Sequence, residues 1–385
     1  MPHDLHLAIP TLAGLEEVLL DELTQLGATN IKSGRRVVTC RGDRQLVYRA
    51  NLELRTALRV LINIDSFTAP HEQALYDRLR ATNWRKYLEP EGSLYVDVVD
   101  PGRYFRNAHF IAQLTKDAVV DQFRDKYGTR PSVAKREADL RIHLLISGNG
   151  EVTLSVDTSG EGLHRRGYRR RTGEAPINEV LAAGMLRLAE YDGSVPFVDP
   201  MCGSGTIVAE AAMIASHTAP GLLRHFGFER WPDFDAAEWG TIRQAALDRR
   251  TTPTRPILGA DIDGVAIAIS RATLERANML HHIELRESAF AQLAAPPPAG
   301  EDPGGLLVFN PPYEMRMETG DIESFYTDIG DTLKTNWAGY TAWLISANPA
   351  AVKRVGLRTS QKIPLMNGAV EVRYCRYDLY RGSRR

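Results

Sequence analysis

Apolar and polar residues follow two different patterns along this chain, and the first pattern covers residues 1–160. After Pro10, apolar residues recur at three- and four-residue steps as far as Gly27, which is typical of an amphipathic helix. A strand at Arg36–Cys40 and a helix at Leu46–Leu61 complete a small α+β unit at residues 1–65. A second α+β unit at residues 66–160 is predicted to contain strand Ser93–Val99, helix Phe110–Phe123, and strands Leu140–Ile146 and Val152–Asp157 around the turn Gly148-Asn149-Gly150.

The second pattern begins near Ala175, where short apolar strands alternate with helical stretches. This alternation predicts a doubly wound α/β sheet of the Rossmann-like kind. Ala294–Gly304 is predicted to be a loop and Gly368–Tyr380 a terminal hairpin. The predicted elements are helix Ile177–Glu190, strand Val195–Asp199, a helix from Gly205, strand Pro256–Ala260, helix Val265–Met279, strand Gly305–Phe309, helix Phe325–Asn336 and strand Thr341–Ser346.

Composition places these elements in a globular protein of two or three domains, since the chain has 385 residues, of which 43% are hydrophobic and 25% charged. Three scattered cysteines, Cys40, Cys202 and Cys375, offer neither a disulfide framework nor a metal-binding pair. We therefore expect a cytoplasmic protein without a bound metal. No signal peptide or membrane span is evident, so we expect no membrane partner.

The net charge of −1 conceals an uneven distribution. Residues 1–171 hold 26 Lys and Arg against 22 Asp and Glu, or +4, and residues 172–385 hold 21 against 26, or −5. Five arginines fall within Leu163–Arg171. Such a run forms either a solvated face or a nucleic-acid contact, so it favours an RNA or DNA partner without establishing one.

The segment Asp199–Thr206, DPMCGSGT, lies where a strand turns into a helix. In open α/β sheets this is where ligands bind, and the helix N-terminus favours an anionic group. The third glycine of the dinucleotide fingerprint and the lysine of a phosphate loop are both missing. A carboxylate before the loop instead favours a ligand with ammonium and carboxylate groups. The residues expected to hold it are Asp199, Met201, Cys202, Gly203, Ser204 and Gly205.

The next strand ends in Asp261-Ile262-Asp263. Asp261 is the expected ribose ligand, because an acid at this point accepts hydrogen bonds from ribose hydroxyls in nucleotide-binding units. Asp263 is expected to cap the following helix. The long separation of Asp261 from Asp199 implies an insertion, about Ser216–Arg255, on the flank of this domain.

The most specific motif is Asn310-Pro311-Pro312-Tyr313, directly after a strand. The two prolines fix the backbone and remove two donors, which leaves carbonyl groups free to accept. If Asn310 Oδ1 and the Pro311 carbonyl accept from an exocyclic amine, they orient its nitrogen toward an electrophile while Tyr313 stacks on the base. When the electrophile is a methyl sulfonium, the transfer is an in-line displacement that depends mainly on this positioning.

These motifs, in this order, resemble those of S-adenosylmethionine-dependent amino-methyltransferases of the Rossmann-like class. With GLEEVLLDEL, RPSVAKREADLRIHLLI, the arginine run and EAAMIASHTAPGL, the whole chain is similar to bacterial 23S rRNA guanine-N2 methyltransferases of the RlmL type. The resemblance implies a ferredoxin-like segment at 1–65, a THUMP RNA-binding domain at 66–160, a basic linker at 161–175 and a methyltransferase domain at 176–385. It also implies that the product is N2-methylguanine in large-subunit rRNA.

Three departures from the family pattern affect the expected site. The acid that binds adenine in relatives is replaced by Arg286–Phe290, so the backbone at Ser288 and Ala289, or Glu287, is expected to hold the adenine. Ile262 is a further residue expected at the cofactor. Glu314-Met315-Arg316 lacks the glycine that follows the tetrapeptide in relatives. One activity is expected, because no second methyltransferase follows. The residues expected to engage RNA are Arg103, Arg106, Asn107, Lys116, Arg130, Arg165, Arg166, Arg169 and Arg170, with His109, Arg141 and Arg171 as further members of the group.

Two other functions remain open on the sequence. The tetrapeptide specifies amine chemistry and not the RNA, so a THUMP-containing tRNA guanine-N2 methyltransferase is an alternative. The other is a non-catalytic assembly factor with a methyltransferase fold. The expected partner is 23S rRNA or a precursor large subunit, and a monomer is favoured.

Overall fold

The computed structural model describes residues 4–105, 107–169, 177–296, 304–313 and 322–380. The chain forms two compact units, and each unit is built from three separate segments of the sequence. Unit 1 consists of residues 1–11, 19–163 and 224–244, and unit 2 of residues 12–18, 164–223 and 245–385. The insertion is therefore divided between the units.

The front of the chain forms one continuous eight-stranded sheet in the order β2-β3-β1-β4-β8-β7-β5-β6. The sheet forms because its strands bury one face, as β7 illustrates. In β7, the buried residues alternate with more exposed ones and are Leu140, Ile142, Leu144 and Ile146. Its elements are β1 Leu5–Pro10, α1 Glu16–Gln25, β2 Thr29–Gly34, β3 Val37–Gly42, α2 Arg44–Glu53, β4 Leu61–Thr68, α3 Glu72–Ala81, β5 Ser93–Val99, α4 Ala108–Tyr127, β6 Ser132–Val133, β7 Leu140–Ile146 and β8 Glu151–Asp157.

Strand β4 shows where the sequence pattern misleads. The predicted helix Leu46–Leu61 is wrong in its second half, because α2 ends at Glu53 and Leu54 has an extended backbone. Leu61 begins β4, which pairs with β1 and β8. The strand also crosses the expected division at residue 65, so the two front segments share one sheet.

The second sheet has seven strands in the order β11-β10-β9-β12-β13-β15-β14. Strands β9 to β13 run parallel, and β15 is antiparallel to β13. This confirms the doubly wound α/β prediction. Its elements are α5 Glu179–Leu188, β9 Phe197–Asp199, α6 Thr206–Ala215, α7 Ala236–Asp248, β10 Ile257–Asp261, α8 Gly264–Arg276, β11 Glu284–Glu287, β12 Leu306–Phe309, α9 Ile322–Asn336, β13 Thr341–Ser346, α10 Pro349–Arg354, β14 Gln361–Asn367 and β15 Val370–Asp378.

Among the described residues, none of the helices has both the length and the apolar character needed to cross a bilayer.

Residues 224–244 of the insertion pack within unit 1, which corrects the expectation that the whole insertion lies on the flank of the catalytic domain. The ring of Tyr48 stacks on Phe228 at 4.5 Å between centroids and meets the edge of Trp239 at 5.8 Å. Arg44 on α2 forms ion pairs with Asp235 at 3.0 Å and Glu238 at 2.6 Å. Buried aromatic area and paired charges thus attach this segment to unit 1.

The packing predicts the effect of Trp239→Ala. Trp239 is 7% exposed, so its truncation leaves a cavity among Tyr48, Phe226 and Phe228. We expect the free energy of unfolding to fall by about 3–4 kcal/mol, measured by urea titration. The exposed Thr241→Ala on the same helix is the control and should change it little. A loss below about 1 kcal/mol for Trp239→Ala contradicts the packing.

Candidate active site

The loop between β9 and α6 has the backbone geometry that its glycines make possible. Gly203 and Gly205 have φ of +51° and +78°, in the left-handed region that favours glycine. A Cβ on Gly205 would lie 3.0 Å from Ser270 Oγ on α8, whereas one on Gly203 would meet nothing within 4 Å. Ser270 Oγ donates to the Gly203 carbonyl at 2.6 Å. The loop is therefore fixed at its base and open above Gly203.

Asp199 lies at the carboxyl end of β9 and is 1% exposed. Its Oδ1 accepts from the Met201 backbone N–H at 3.2 Å. Its Oδ2 is buried and has no hydrogen-bond partner among the described residues. Burial raises the pKa of this carboxyl well above its usual range, and the nearby charge of Asp261 raises it further. A buried acceptor without a donor fits the ammonium group of a methionine moiety.

Asp261 at the end of β10 is bound to the same loop. One carboxylate oxygen accepts from the Gly203 N–H at 2.9 Å and the other from the Asp263 N–H at 3.0 Å. The lone pairs that remain can still accept from ribose hydroxyls. Asp263 accepts from the Val265 N–H at 2.8 Å, which confirms it as the cap of α8.

Two further expected cofactor positions lie beside Asp261. Ile262 is 73% exposed, so an apolar face lies open at this strand end. The Ser288 N–H donates to the Asp261 carbonyl at 2.9 Å, which brings the Ser288–Ala289 segment to the same edge. Cys202 is buried, and its Sγ lies 3.6 Å from Ser270 Oγ on α8.

The Asn310 segment follows β12, which pairs with β9 through Leu306 and Leu307. Because both strands are parallel, the Asn310 side chain and the Asp199 loop lie at the same sheet edge. Asn310 Oδ1 is buried and, like Asp199 Oδ2, lacks a hydrogen-bond partner among the described residues. The structure thus brings two unpaired acceptors to neighbouring strand ends.

A hydroxyl and amide network supports the tetrapeptide, and the sequence did not predict it. Tyr326 Oη on α9 donates to the Pro312 carbonyl at 3.2 Å and lies 2.8 Å from Ser346 Oγ. Asn348 Nδ2 donates to the Tyr313 carbonyl at 3.4 Å, and Asn367 Nδ2 to Tyr313 Oη at 3.5 Å. The expectation of free carbonyls is therefore wrong for Pro312. The sequence signal that could have indicated this network is the polar residues at the ends of two strands, Asn348 just after β13 and Asn367 at the end of β14.

Tyr326→Phe tests this support. Loss of the Tyr326 hydroxyl leaves the Pro312 carbonyl without its donor, so we expect turnover to fall about tenfold while cofactor affinity is unchanged. Tyr340→Phe is the matched control, because Tyr340 Oη donates to another proline carbonyl, that of Pro296, at 2.9 Å. Steady-state methyl transfer and calorimetric titration with S-adenosylhomocysteine give the two readouts. Equal turnover in both variants contradicts the assigned role.

The three arginines of the run that the structure describes do not all lie on an exposed basic face. Arg166 is 2% exposed and its Nε lies 3.3 Å from Glu210 Oε1, so in this structure it is not available to RNA. Arg169 is partly buried and pairs with Glu179 at 3.3 Å. Arg165 is exposed. Expected contacts Arg106, Arg170 and Arg171 lie outside the described residues, as does Glu314-Met315-Arg316.

The remaining expected RNA residues lie in the middle of the chain. Arg103, His109 and Arg130 are exposed. Asn107 is exposed but caps α4 by accepting from the Phe110 N–H at 3.1 Å. Lys116 pairs with Asp117 at 2.6 Å, and Arg141 with Asp97 at 3.2 Å. A groove of about 500 Å³ is lined by Lys116 and Arg130 together with Tyr76 and Val133.

Comparisons with known proteins place each part of the chain. An RMKL-like methyltransferase domain matches residues 166–376, an RlmL ferredoxin-like domain residues 6–61, and a THUMP domain residues 69–157. The first of these covers more than half of the chain. These matches confirm the fold classes expected from the sequence.

Relatives that match along most of this chain agree with the domain matches. A Synechocystis protein named provisionally as an RNA methyltransferase is 38% identical over 95% of both chains. The ribosomal RNA large subunit methyltransferase K/L of Syntrophotalea carbinolica is 37% identical over 95% of this chain. This chain covers 52% of that relative, and about half of the other K/L relatives it matches.

The chain is similar to the solved structure of SMU.472, which is named provisionally as a methyltransferase and is complexed with S-adenosylhomocysteine. The alignment covers 100% of both chains. Its TM-score is 0.87 at 26% identity. The chain belongs to the RMKL-like family of S-adenosylmethionine-dependent methyltransferases, and in it RlmL ferredoxin-like and THUMP domains precede the methyltransferase domain.

Proposed function

We propose that this chain transfers a methyl group from S-adenosylmethionine to N2 of a guanine in 23S rRNA. The observation that carries the proposal is the buried Asn310 Oδ1, which lacks a partner among the described residues at the strand end beside Asp199. A buried acceptor in this position is suited to an N–H group supplied by a substrate.

The cofactor is proposed to lie across the carboxyl ends of β9 and β10. Asp199 binds the ammonium group, and the Gly203–Gly205 loop, with Met201, Cys202 and Ser204, surrounds the methionine part. Asp261 binds the ribose hydroxyls through its remaining lone pairs. The exposed Ile262 covers one face of the adenine, and the Ser288–Ala289 backbone lies at its edge.

The bound cofactor supplies an electrophilic methyl sulfonium. Asn310 Oδ1 and the Pro311 carbonyl accept the two N–H bonds of the exocyclic amine and aim its lone pair at the methyl group. Both acceptors are neutral, so the proton released after transfer goes to water. Pro312 keeps the backbone rigid, with its carbonyl bound by Tyr326, and the Tyr313 ring stacks on the base.

The RNA substrate is proposed from different observations. The K/L relatives are named for the large ribosomal subunit, although this chain spans about half of their length. Residues 66–160 are proposed as the RNA-binding domain, in which Arg103, Asn107, Lys116 and Arg130 position the RNA through phosphates. Arg165 extends that group, and Arg166 does not belong to it. The guanine must leave its stack to reach Asn310, and stacking on Tyr313 offsets part of that cost.

We propose that the protein acts as a cytoplasmic monomer. Its proposed domains are a ferredoxin-like segment at 1–65, a THUMP domain at 66–160 and a methyltransferase domain at 176–385, with a linker at 161–175.

Mass-spectrometric mapping of N2-methylguanine in rRNA and tRNA, with and without the gene, tests the proposal. Loss of one mark from 23S rRNA, restored by the wild-type gene and not by Asn310→Ala, is the expected result. Loss of the mark from tRNA alone overturns the rRNA assignment in favour of a tRNA methyltransferase. Unchanged marks in both RNAs, with no saturable binding of S-adenosylmethionine, favour a non-catalytic assembly factor.

A further inference from the structure

The arginine run contains a buried polar cluster inside unit 2. Arg166 Nε and Tyr168 Oη both contact Glu210 Oε1 on α6, at 3.3 and 3.0 Å. Tyr168 and Glu210 are fully buried and Arg166 nearly so. Arg276 on α8 donates to the Tyr168 carbonyl at 2.8 Å, so the segment is held between two helices of the methyltransferase domain.

Arg169 extends this cluster to the beginning of α6. Its Nη2 donates to Thr206 Oγ1 and to the Ile177 carbonyl, the latter at 3.0 Å. Its Nη1 lies 3.3 Å from Glu179 Oε1 on α5, a carboxylate whose side chain is 5% exposed. The planar guanidinium therefore bridges two helices, a geometry that an ammonium group reproduces only in part.

Thr206 connects this bridge to the cofactor loop. It is the first residue of α6 and directly follows Gly205, the residue with φ of +78°. Ser204 Oγ lies 3.3 Å from Thr206 Oγ1. Ser270 Oγ on α8 donates to the Gly203 carbonyl at 2.6 Å. The loop is thus held by α8 and, through Thr206, by Arg169.

We propose that Arg169 is a positioning residue for the cofactor: by binding Thr206, Ile177 and Glu179 it fixes the first turn of α6 and the loop that precedes it. It acts through Thr206 and does not touch the reacting atoms. This role replaces the RNA contact expected from the sequence, and it rests on the proposed placement of the cofactor at this loop. A helix leaves the N–H groups of its first turn without intrahelical partners, and fixing that turn preorganises them for the anionic end of the ligand.

Binding of S-adenosylhomocysteine to the full chain tests the role without any RNA. We expect Arg169→Met to weaken binding about tenfold, and Arg169→Lys to recover part of that loss, since charge remains without the planar fork. Thr206→Val removes the hydroxyl with little change of shape and should weaken binding by about threefold or more. The control is Arg358→Met, an exposed arginine of the same unit, with unchanged affinity.

The double variant Arg169→Met/Thr206→Val and an RNA measurement decide between explanations. Because both side chains act through one contact, we expect the double variant to bind no more weakly than Arg169→Met alone. Affinity for a 23S rRNA transcript should be the same in wild type and Arg169→Met. The proposal is overturned if Thr206→Val and Arg169→Lys bind S-adenosylhomocysteine like wild type, or if Arg169→Met weakens RNA binding and leaves cofactor binding intact.

These outcomes are distinct from failure of the proposed function. An error in the choice of RNA changes the methylation map and leaves binding of S-adenosylhomocysteine unaffected. Thermal unfolding of each variant shows whether it is folded, and Thr206→Val keeps the test available if loss of Arg169 leaves Glu179 buried without its partner.

Discussion

Asn310→Ala is expected to lose methyl transfer by about 10²-fold or more while still binding S-adenosylhomocysteine. The reason is that Asn310 Oδ1 is a buried acceptor with no partner among the described residues, so its removal costs the folded protein little and costs the oriented amine its acceptor. Single-turnover transfer from labelled S-adenosylmethionine to unmodified 23S rRNA measures the chemistry, and calorimetric titration measures binding.

Two companion variants sharpen this test. Asn310→Asp retains an acceptor oxygen and should keep more turnover than Asn310→Ala. Asn336→Ala removes an exposed asparagine at the end of α9 and should behave like wild type. Wild-type turnover in Asn310→Ala would remove the amine-orienting role, whereas parallel loss of binding and turnover would place Asn310 chiefly at the cofactor.

Asp199→Asn is expected to abolish most cofactor affinity without destabilising the protein. The amide cannot balance the ammonium charge, so we expect binding of S-adenosylhomocysteine to weaken by about 10- to 100-fold. The free energy of unfolding at neutral pH should equal or exceed that of wild type, because the ionised form of Asp199 is disfavoured by burial. A large loss of stability would show instead that Asp199 is structural.

The pH dependence follows from the same raised pKa. A folded-state pKa above the unfolded value gives a stabilising contribution at low pH that is lost as the pH rises through the folded pKa. Ammonium binding needs the ionised carboxylate, so wild-type cofactor affinity should increase as the pH rises through the raised pKa of Asp199, and that of Asp199→Asn should change much less. Titrations of both proteins in the same buffers give the difference, and parallel curves would contradict the assignment.

Sequence pattern predicted strands that carry a run or an alternation of apolar residues. Ser93–Val99, Leu140–Ile146 and Thr341–Ser346 form strands with the predicted bounds. Edge strand β2, in contrast, is mostly exposed and has no apolar alternation to reveal it. Strand β4 was not predicted, and its first residue, Leu61, was assigned to a helix because the leucines before it continue the spacing of α2. Only the pairing of β4 with β1 and β8 reveals the strand.

The candidate site divides in the same way. Asp199, Asp261 and Asn310 were predicted because they follow strands in motifs, and the structure brings their strand ends together. Tyr326 was not predicted, because its partner is a backbone carbonyl, which leaves no side-chain signal in the sequence. The arginine run misled for a related reason: charge in a sequence does not reveal whether a buried carboxylate such as Glu210 neutralises it.

The divided insertion has a consequence for synthesis on the ribosome. Unit 1 includes residues 224–244, which are translated only after residues 164–223 of unit 2. The aromatic partners of Tyr48 therefore emerge late, and Phe228 and Trp239 cannot pack on it until the whole loop after β9 and helix α6 have been made. Completion of unit 1 must wait for part of unit 2, so folding cannot proceed strictly in the order of the chain.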